Sequence, residues 1–541
     1  MGDVLSESGL AGWRPYLLLG LLCLCLYIPG IAAIPVTDRD EARFAQATRQ
    51  MLETGDYLDI RFRDEARNNK PAGIYWLQAV AVGALSTPQS TAIWSYRVPS
   101  LIGAILAVLF TFGFARALFG EPRRALIGAA LLAISLGTVA EAHLAKTDAV
   151  LLATIAAGQG ALGLAYVRAR GGAVVGWGVA ATFWLAEIAA IYLKGPIGPG
   201  IALIAAATLS IADRDVRWLR GLRPVIGVIV AVLAVAPWLY AIEHATQGQF
   251  LDQSVGHDFL AKITGGQEAH GAPPLYYLGL AFVTFWPGSL FLAPAVIGGW
   301  VRRREPAERF LMAWLAPAWI VLELIPTKLP HYALPLYPAL ALLAAGTMSR
   351  SDGPSWARAI CTVVWVLATV FLAVVLGALG ASPAPVAVAA AMAMAIVALA
   401  AVVLFRRPGR GATVGLLAAM NLAFVVPVGS LVLPRLDYWW LSRSAAALVA
   451  AHPRAAGANL AVIGYNEPSL VFLLDDGFKS GVADAVVAAG DEALVADRMD
   501  AAFQQNLAAR GLATRVLGDV HGWDYSNGQD MMLTLYTIAP K

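Results

Sequence analysis

The sequence has 541 residues, of which 59% are hydrophobic and only 14% are charged. Its mean hydropathy of +0.66 excludes an ordinary soluble globular protein and predicts one that crosses a membrane many times. The net charge of +3 is too small to indicate a nucleic-acid-binding protein. All three cysteines lie in apolar stretches, where we expect buried hydrophobic residues rather than metal ligands or disulfides.

The first apolar stretch begins near Tyr16 and lacks a small-residue cleavage site, so we predict a permanent span rather than a removable signal peptide. Apolar stretches long enough to cross a hydrocarbon core of about 30 Å recur along the chain. They begin near residues 15, 98, 124, 150, 174, 197, 224, 275, 310, 333, 359, 384 and 413. Residues 71–85 are also apolar, but this run is borderline in length.

Arginines indicate which turns share one side of the membrane, because cytoplasmic loops collect them. If residues 71–85 do not cross, Arg14 and the arginine-rich turns all fall on one side. These turns carry Arg116, Arg123, Arg124, Arg168, Arg170, Arg214, Arg217, Arg220, Arg223, Arg302, Arg303, Arg304, Arg309, Arg350, Arg358, Arg406, Arg407 and Arg410. We therefore predict about 13 spans with the N-terminus inside, and an interfacial helix at residues 71–85. The outer face then carries residues 36–97, 143–149, 194–197, 244–274, 327–332 and all that follow residue 434.

A charged stretch, TDRDEARFAQATRQ at residues 37–50, follows the first span, and five of its first seven residues are charged. Asp38 and Glu41 form a capping-box pattern that starts a helix. Apolar residues then recur at helical spacing, so we predict an amphipathic helix along the outer interface. Asp40 and Arg43 share one face of this helix, and the cap needs neither of them, which makes them candidates for chemistry.

The C-terminal segment, residues 435–541, differs from the rest in composition. ANLAVIGY (458–465) and MMLTLYTI (531–538) have the pattern of strands, and residues 484–511 between them indicate helix. Ser526-Asn527-Gly528 supplies a turn before the last strand. The chain is therefore divided into a transmembrane domain over residues 1–434, with its first outer loop at 36–97, and an outer α/β domain over residues 435–541.

Several motifs resemble those of the lipid-linked-sugar glycosyltransferases of the GT-C fold, above all the ArnT-like (aminoarabinose transferase) and protein-mannosyltransferase-like enzymes. They are D-E-A-R at 40–43, K-P at 70–71 followed by Tyr75-Trp76, T-D at 147–148, T-K-L-P-H-Y-A-L-P-L-Y-P at 327–338 and Y-N-E-P-S-L at 465–470. The motifs follow the family's order over nearly the whole chain, and they are more specific for the superfamily than for the substrate. The resemblance implies a polytopic α-helical protein of the bacterial inner membrane, with periplasmic interfacial helices and a periplasmic C-terminal α/β domain.

The implied activity is transfer of a sugar (aminoarabinose, galacturonic acid or a related one) from a polyprenyl phosphate such as undecaprenyl phosphate. The implied acceptor is lipid A or the lipopolysaccharide core at the periplasmic face. Departure of the phosphate requires cations, and an ionised aspartate could accept the proton of an acceptor hydroxyl. The resemblance gives as catalytic residues Asp40 and Asp148. It places at the donor phosphate Lys70, Arg43, Lys328 and Tyr332. Further residues expected to line the cavity are Glu41, Tyr75, His331 and Lys194.

The sequence departs from the aminoarabinose enzymes at Asn69, where those enzymes commonly have an acidic residue that helps to hold a metal. His257 and His270 lie in the loop that could supply the histidine ligand, so a divalent metal stays an open alternative without a firm site. The departure also leaves the sugar open, because a uronic acid would need an additional cation for its carboxylate. The first outer loop offers Arg61, Arg63 and Arg67 for this purpose.

Two other functions are compatible with parts of the sequence. A transporter or flippase of a lipid-linked sugar would be expected to show internal repeats and charged residues within its spans. No repeat is visible, and the prominent acids within spans are Glu187 and Glu323. A sensor or scaffold would need only residues 435–541 for its activity.

Overall fold

A computed structural model of the chain describes residues 12–37, 39–68, 70–254, 256, 272–350, 354–380, 386–406, 409–474, 478–481 and 487–541. The predictions made for Asp38, Asn69, His257 and His270 fall outside the described residues. The largest hydrophobic core lies among the long helices that precede residue 435, and a second core lies beneath a sheet in the C-terminal segment.

A helix begins close to each predicted span start. The helices before the C-terminal segment are α1 (Arg14–Tyr27), α2 (Asp40–Thr54), α3 (Gly73–Leu85), α4 (Trp94–Phe119), α5 (Pro122–Ala133), α6 (Leu136–Ala142), α7 (Asp148–Arg170), α8 (Trp177–Lys194), α9 (Ile197–Asp213), α10 (Pro224–Ala245), α11 (Tyr276–Thr284), α12 (Leu292–Val301), α13 (Pro306–Leu324), α14 (Tyr337–Arg350), α15 (Ser355–Gly380), α16 (Val386–Arg406) and α17 (Arg410–Pro427). Short helical turns connect some of them, at Arg217–Leu222, Gln249–Leu251, Gly288–Phe291, Pro330–Leu336, Val428–Val432, Leu433–Arg435 and Asp437–Trp439.

The chain is a multi-pass membrane protein. In the described ranges, five helices are long and apolar enough to cross a bilayer, and a sixth span is formed if α5 and α6, which meet at a bend of 60°, count as one. The other apolar helices are shorter, so the count of about 13 spans stays a prediction. Helix α3, with 13 residues, is about 20 Å long, and this length agrees with the prediction that it does not cross.

Helix α2 carries the charged stretch and is enclosed on more sides than a helix lying on a membrane surface would be. Its buried residues include the polar Gln46, Thr48 and Arg49. The C-terminal segment covers it, since a helix of that segment, Pro468–Leu474, packs against α2. The amphipathic pattern therefore reflects burial of α2 between two parts of the protein, in addition to the position at the membrane interface that we predict.

The C-terminal segment forms a five-stranded mixed sheet with flanking helices. Its elements are α18 (Leu441–Ala451), β3 (Leu460–Ile463), α19 (Pro468–Leu474), β4 (Lys479–Gly481), β5 (Glu492–Ala496), α20 (Asp497–Ala509), β6 (Leu512–Asp524) and β7 (Gln529–Pro540), while β1 (Arg61–Phe62) and β2 (Glu65–Ala66) form a small hairpin in the first loop. The strand order is β4-β3-β5-β7-β6. Strand β3 is parallel to β4 and β5, and β7 is antiparallel to β5 and β6.

Both predicted strands of the segment and the turn between β6 and β7 are confirmed. The prediction of helix over residues 484–511 is right only for Asp497–Ala509, because Glu492–Ala496 is a strand. All five residues of this strand are buried, and a short apolar run buried on both faces has no alternation that distinguishes it from a helix. Strand β6 was not predicted.

Arginines of the first loop fasten the C-terminal segment to the membrane part. Arg49, fully buried, donates to the carbonyl oxygen of Phe472 at 2.9 Å and lies 4.6 Å from the centre of that ring. Arg63 does the same at Phe478, with a hydrogen bond of 2.7 Å to its carbonyl oxygen. Charge-assisted donors that meet backbone carbonyls in a buried contact fix its geometry. The C-terminal segment is thus packed directly on the loop that carries the D-E-A-R motif.

Candidate active site

Asp40 occupies the first turn of α2, and its side chain is exposed although it is surrounded by charged groups from three loops. Burial alone would raise the pKa of this carboxyl, but the charges of Lys146, Arg67 and Lys70 outweigh that effect and hold the pKa below its usual value. The carboxylate is thus accessible to solvent and has cations close to it, as a group that binds a ligand would. Asp40 is therefore ionised at neutral pH and accessible to a ligand.

Asp148 is the second carboxylate of the site; it lies at the first turn of α7 and is 7% exposed. Its Oδ1 accepts from Lys194 Nζ at 2.5 Å, and its Oδ2 lies 3.9 Å from Lys146 Nζ. Lys146 also donates to Glu141 Oε1 at 3.1 Å. Two acidic and two lysine side chains thus form one compact network where α6 and α8 end and α7 begins.

His331 completes this network, with Nε2 3.7 Å from Asp148 Oδ1 and Nδ1 4.0 Å from Glu141 Oε1. Burial, together with the charges of Lys146 and Lys194, lowers the pKa of His331 to about 3 against the opposing pull of Asp148. The imidazole is therefore neutral at physiological pH.

Glu141, Asp148 and His331 are close enough to share a metal ion, since one ligand atom from each lies within 4.8 Å of the others. The chemistry of the surrounding donors does not fit this use. Two lysine ammonium groups already neutralise the two carboxylates, and a divalent cation would have to displace them. The residues predicted for a metal, His257 and His270, lie outside the described residues.

Close helix contacts bring the functional turns together. A side chain at Gly73, three residues after Lys70, would place its Cβ 2.6 Å from the carbonyl oxygen of Tyr192, two residues before Lys194. A side chain at Gly103 would place its Cβ 2.7 Å from the Cα of Val150, just after Asp148. Only glycine allows these approaches, so these two positions set the distance between the loops that form the site.

Glu41 is buried and not accessible to a ligand, and its expected role in a capping box is correct only in part. Its Oε2 accepts from the backbone N–H of Thr37 at 2.8 Å, as a cap would. The side chain is buried, however, and both of its oxygens accept from Arg97, at 2.8 and 2.9 Å. Its Oε1 also accepts from the backbone N–H of Ala145 at 2.8 Å. Glu41 therefore joins the first loop to the turn that carries Lys146.

The other predicted residues differ in how they contribute: some lie next to the charged side chains of the site, and others are buried and support them. Tyr332 lies beside Lys194, whose Nζ is 5.4 Å from the centre of the tyrosine ring. Tyr75 is fully buried and accepts from Arg67 Nε at 2.8 Å, so it supports a cavity residue from behind. Lys328 is 5% exposed and donates to the carbonyl oxygen of Ile325 at 2.9 Å, which places its ammonium group at the end of α13.

The C-terminal segment contributes charge to the same region. Burial and the charge of Arg67 lower the pKa of Arg43, whereas Asp40 and Glu467 act in the opposite direction. Glu467 is 6% exposed, and its Oε1 accepts from Asn527 Nδ2 at 2.9 Å. Glu467 belongs to the Y-N-E-P-S-L motif, so this motif lies against the D-E-A-R motif.

Arg39 links the same two parts immediately before Asp40. Its side chain donates to the carbonyl oxygen of Ser526 and to Asn527 Oδ1. Its backbone has a φ of 60°, a left-handed conformation that is uncommon outside glycine and that persists only where surrounding contacts enforce it. The contact with the C-terminal segment therefore helps to fix the backbone at Asp40.

Sequence reasoning missed Glu141 as a site residue and gave Lys146 no specific role, although Lys146 is among the cations of the outer loops. Both residues lie in the stretch EAHLAKTD, at 141–148, where three charged residues fall at the boundary of two apolar stretches. Charged residues kept at the end of a span are a usable signal for a site.

Known proteins were compared with this chain in sequence and in structure. No known protein-family model matches the sequence. The chain is 27% identical over 352 residues to the undecaprenyl phosphate-alpha-4-amino-4-deoxy-L-arabinose arabinosyl transferase of Pectobacterium carotovorum, a match that covers 63% of this chain and 60% of the relative. It is 30% identical over 335 residues to arabinosyl transferase 2 of Pseudomonas fluorescens, covering 61% of this chain and 59% of the relative. Both matches span less than two thirds of the relative's length.

The structural similarity extends further along the chain. ArnT from Cupriavidus metallidurans, solved with bound undecaprenyl phosphate, superposes with a TM-score of 0.75 at 20% identity, over 96% of this chain and 97% of that one. The oligosaccharyltransferase AglB from Archaeoglobus fulgidus, in complex with an inhibitory peptide and a dolichol-phosphate, gives a TM-score of 0.53 at 12% identity, over 97% of this chain and 74% of that one. The resemblance seen in the motifs is therefore confirmed: the chain has the GT-C fold of ArnT and is a sequence relative of the aminoarabinose transferases.

Proposed function

We propose that this protein is a glycosyltransferase that moves a sugar from a polyprenyl-phosphate donor to lipid A or the lipopolysaccharide core, at the periplasmic face of the bacterial inner membrane. The observation that carries the proposal is the exposed, ionised Asp40 carboxylate among Arg67, Lys70 and Lys146. Similarity to arabinosyl transferases that are named for undecaprenyl phosphate supports this lipid as the carrier. ArnT, which shares the fold, was solved with the same lipid bound.

In the proposed reaction the bond between the sugar's anomeric carbon and the phosphate oxygen breaks, and its electron pair stays on the phosphate. Lys70 and Arg43 stabilise the negative charge that develops there, and Tyr332, beside Lys194, is a further residue expected at the phosphate. Fixed cations in a partly desolvated site stabilise such charge more strongly than water does. Asp148 and Glu141 hold Lys194 and Lys146 in place.

The acceptor oxygen forms the new bond to the anomeric carbon. If the acceptor is a hydroxyl group, Asp40 takes its proton and becomes a neutral carboxylic acid. If the acceptor is a phosphate, no proton is transferred, and the Asp40 carboxylate stabilises the positive charge that develops on the sugar ring. The neutral His331 beside Asp148 is poised to donate or accept a hydrogen bond rather than to carry charge.

The function is tested by reconstituting the purified full chain in nanodiscs with undecaprenyl-phosphate sugars and lipid A, followed by mass spectrometry of the lipid products. We expect a mass increase of one sugar on the acceptor and release of undecaprenyl phosphate. A flippase would move the lipid-linked sugar between leaflets of proteoliposomes without forming this product. Unmodified acceptors with all donors, and unchanged lipopolysaccharide in cells that lack the gene, would overturn the proposal.

The pH dependence of the reaction follows from Asp40. Its pKa is held below the usual value for aspartate of about 3.9, so the active carboxylate form persists as the pH falls and is lost only below that value. We therefore expect kcat/KM to stay constant from pH 8 to about pH 5, with an acceptor that does not titrate in this range. An acidic limb near pH 6 to 7 would contradict the assignment of Asp40 and would indicate a different titrating group.

A further inference from the structure

The first loop contains three arginines that sequence reasoning proposed for an additional negative charge on the substrate, and the structure separates them. Arg61 is paired with Asp59 at 3.0 Å and donates to the carbonyl oxygen of Asp64 at 2.6 Å. Arg63 is engaged with the carbonyl oxygen and ring of Phe478 in the C-terminal segment. Both arginines are therefore already engaged with groups of the protein.

Arg67 is held at the site itself. Its Nε donates to the hydroxyl of Tyr75 at 2.8 Å, and its guanidinium carbon lies 5.1 Å from the centre of the Phe44 ring. Tyr75 is fully buried and Phe44 is 3% exposed, so the guanidinium rests on a rigid support. Such a group has already lost most of its side-chain freedom before a ligand arrives, which favours binding.

Arg67 and Arg43 are neighbours of the same charge. Burial and the charge of Arg67 lower the pKa of Arg43, and the charges of Asp40 and Glu467 act in the opposite direction. Within the described part of the chain, the terminal nitrogens of both guanidinium groups have no hydrogen-bond partner in the protein. A partly buried guanidinium group with unused donors is well suited to binding an anion by parallel hydrogen bonds.

Under the proposed function Lys70 and Arg43 stabilise the donor's phosphate, so Arg67 is the guanidinium group that remains for another anion. We propose that Arg67 forms a second anion subsite, next to the donor phosphate site, which binds a carboxylate of the donor sugar or a phosphate of the acceptor. The inference rests on the proposed function and adds to it a specificity residue. It predicts that one of the two substrates must carry a negative charge besides the donor's phosphodiester.

The test uses the full chain in nanodiscs and four substrate pairs: a uronic-acid donor or its neutral hydroxymethyl analogue, each with a phosphorylated or a dephosphorylated acceptor. We expect Arg67→Gln to raise KM about tenfold or more for the substrate whose charge is bound, with little change for its neutral analogue. Whether the donor or the acceptor shows this effect identifies the anion as carboxylate or phosphate. Arg67→Lys, which keeps the charge but loses the planar fork, should recover part of the loss.

Arg61→Gln is the matched control, because it removes an exposed arginine from the same loop. It should leave all four pairs unchanged. An Arg67→Gln protein with unchanged KM values, or with the same loss for charged and neutral substrates, would overturn the subsite while leaving the transferase function intact. Absence of transfer by the unsubstituted protein with every pair would instead overturn the proposed function.

Discussion

Replacing Asp40 by asparagine should lower the rate of sugar transfer by about a hundredfold to a thousandfold, since the variant loses the charge expected to act on the acceptor or the sugar ring. The change keeps the size of the side chain and its position at the start of α2. The carboxylate is solvent-accessible and, among the residues that the structure describes, makes no buried ion pair of the kind formed by Glu41, so the protein should fold normally. Initial rates under saturating donor, with thermal unfolding of the same sample, measure the two quantities separately.

Asp64→Asn is the control for this experiment, because Asp64 is an exposed aspartate of the same loop. It should transfer sugar at the unsubstituted rate. An Asp40→Asn protein with normal transfer would remove Asp40 from the chemistry, and Asp148 would then be the remaining aspartate to test. A variant that unfolds well below the unsubstituted temperature would show instead that Asp40 is needed for the fold.

Replacing Glu41 by alanine should destabilise the protein by about 3–5 kcal/mol, the cost of leaving a buried charge without its partner. Arg97 is fully buried and shares two hydrogen bonds with Glu41, and it also donates to carbonyl oxygens of the segment that leads to α2. Thermal unfolding in detergent, followed by tryptophan fluorescence, measures the change. Glu65→Ala, which removes an exposed glutamate of the same loop, should leave the unfolding temperature unchanged.

Glu41 also links stability to pH. Burial alone would raise its pKa, but Arg97 and the hydrogen bonds to the carboxylate hold the pKa below the usual value. The contribution of ionised Glu41 to the free energy of unfolding is therefore fully present above the ordinary glutamate pKa of about 4.3. It is lost as the pH falls through the lowered pKa of Glu41. The unfolding temperature of the Glu41→Ala protein should fall less steeply below pH 4 than that of the unsubstituted protein. Equal slopes would contradict the coupling.

The positions of helices and loops could be predicted because hydrophobic length and arginine distribution are local properties of the sequence. The roles of Asp40 and Glu41 could not be separated in the same way. Glu41 follows Asp40 directly, and its partner Arg97 lies 56 residues further along the chain. Sequence spacing shows which side chains share a helix face, but it does not show which distant arginine forms an ion pair with one of them.

Motif resemblance identified the main candidate residues of the site. It did not predict the ion-pair network that connects Asp148 and Lys194 with Lys146 and Glu141. Lys146 and Glu141 became part of the site because the turn at 143–147 folds back onto the first loop through the contact between Ala145 and Glu41. Lys328 matches a phosphate-binding position of its motif, and the sequence does not predict the hydrogen bond that its ammonium group donates to the carbonyl oxygen of Ile325. A motif predicts the region of the fold in which a residue lies, whereas the contacts of a long side chain's terminal group depend on the local backbone.

The contact between Arg49 and Phe472 also has a consequence for the order in which the protein is made. The two residues are 423 positions apart, and Arg39 meets its partner Ser526 only after 487 positions. The ribosome therefore releases the D-E-A-R loop long before the segment that covers it exists. During synthesis Arg49, which is buried in the finished protein, is still hydrated. The site reaches its final form only when the last strands have been translated. A chain that stops before residue 472 would contain the long helices but lack the part of the C-terminal segment that covers the D-E-A-R loop.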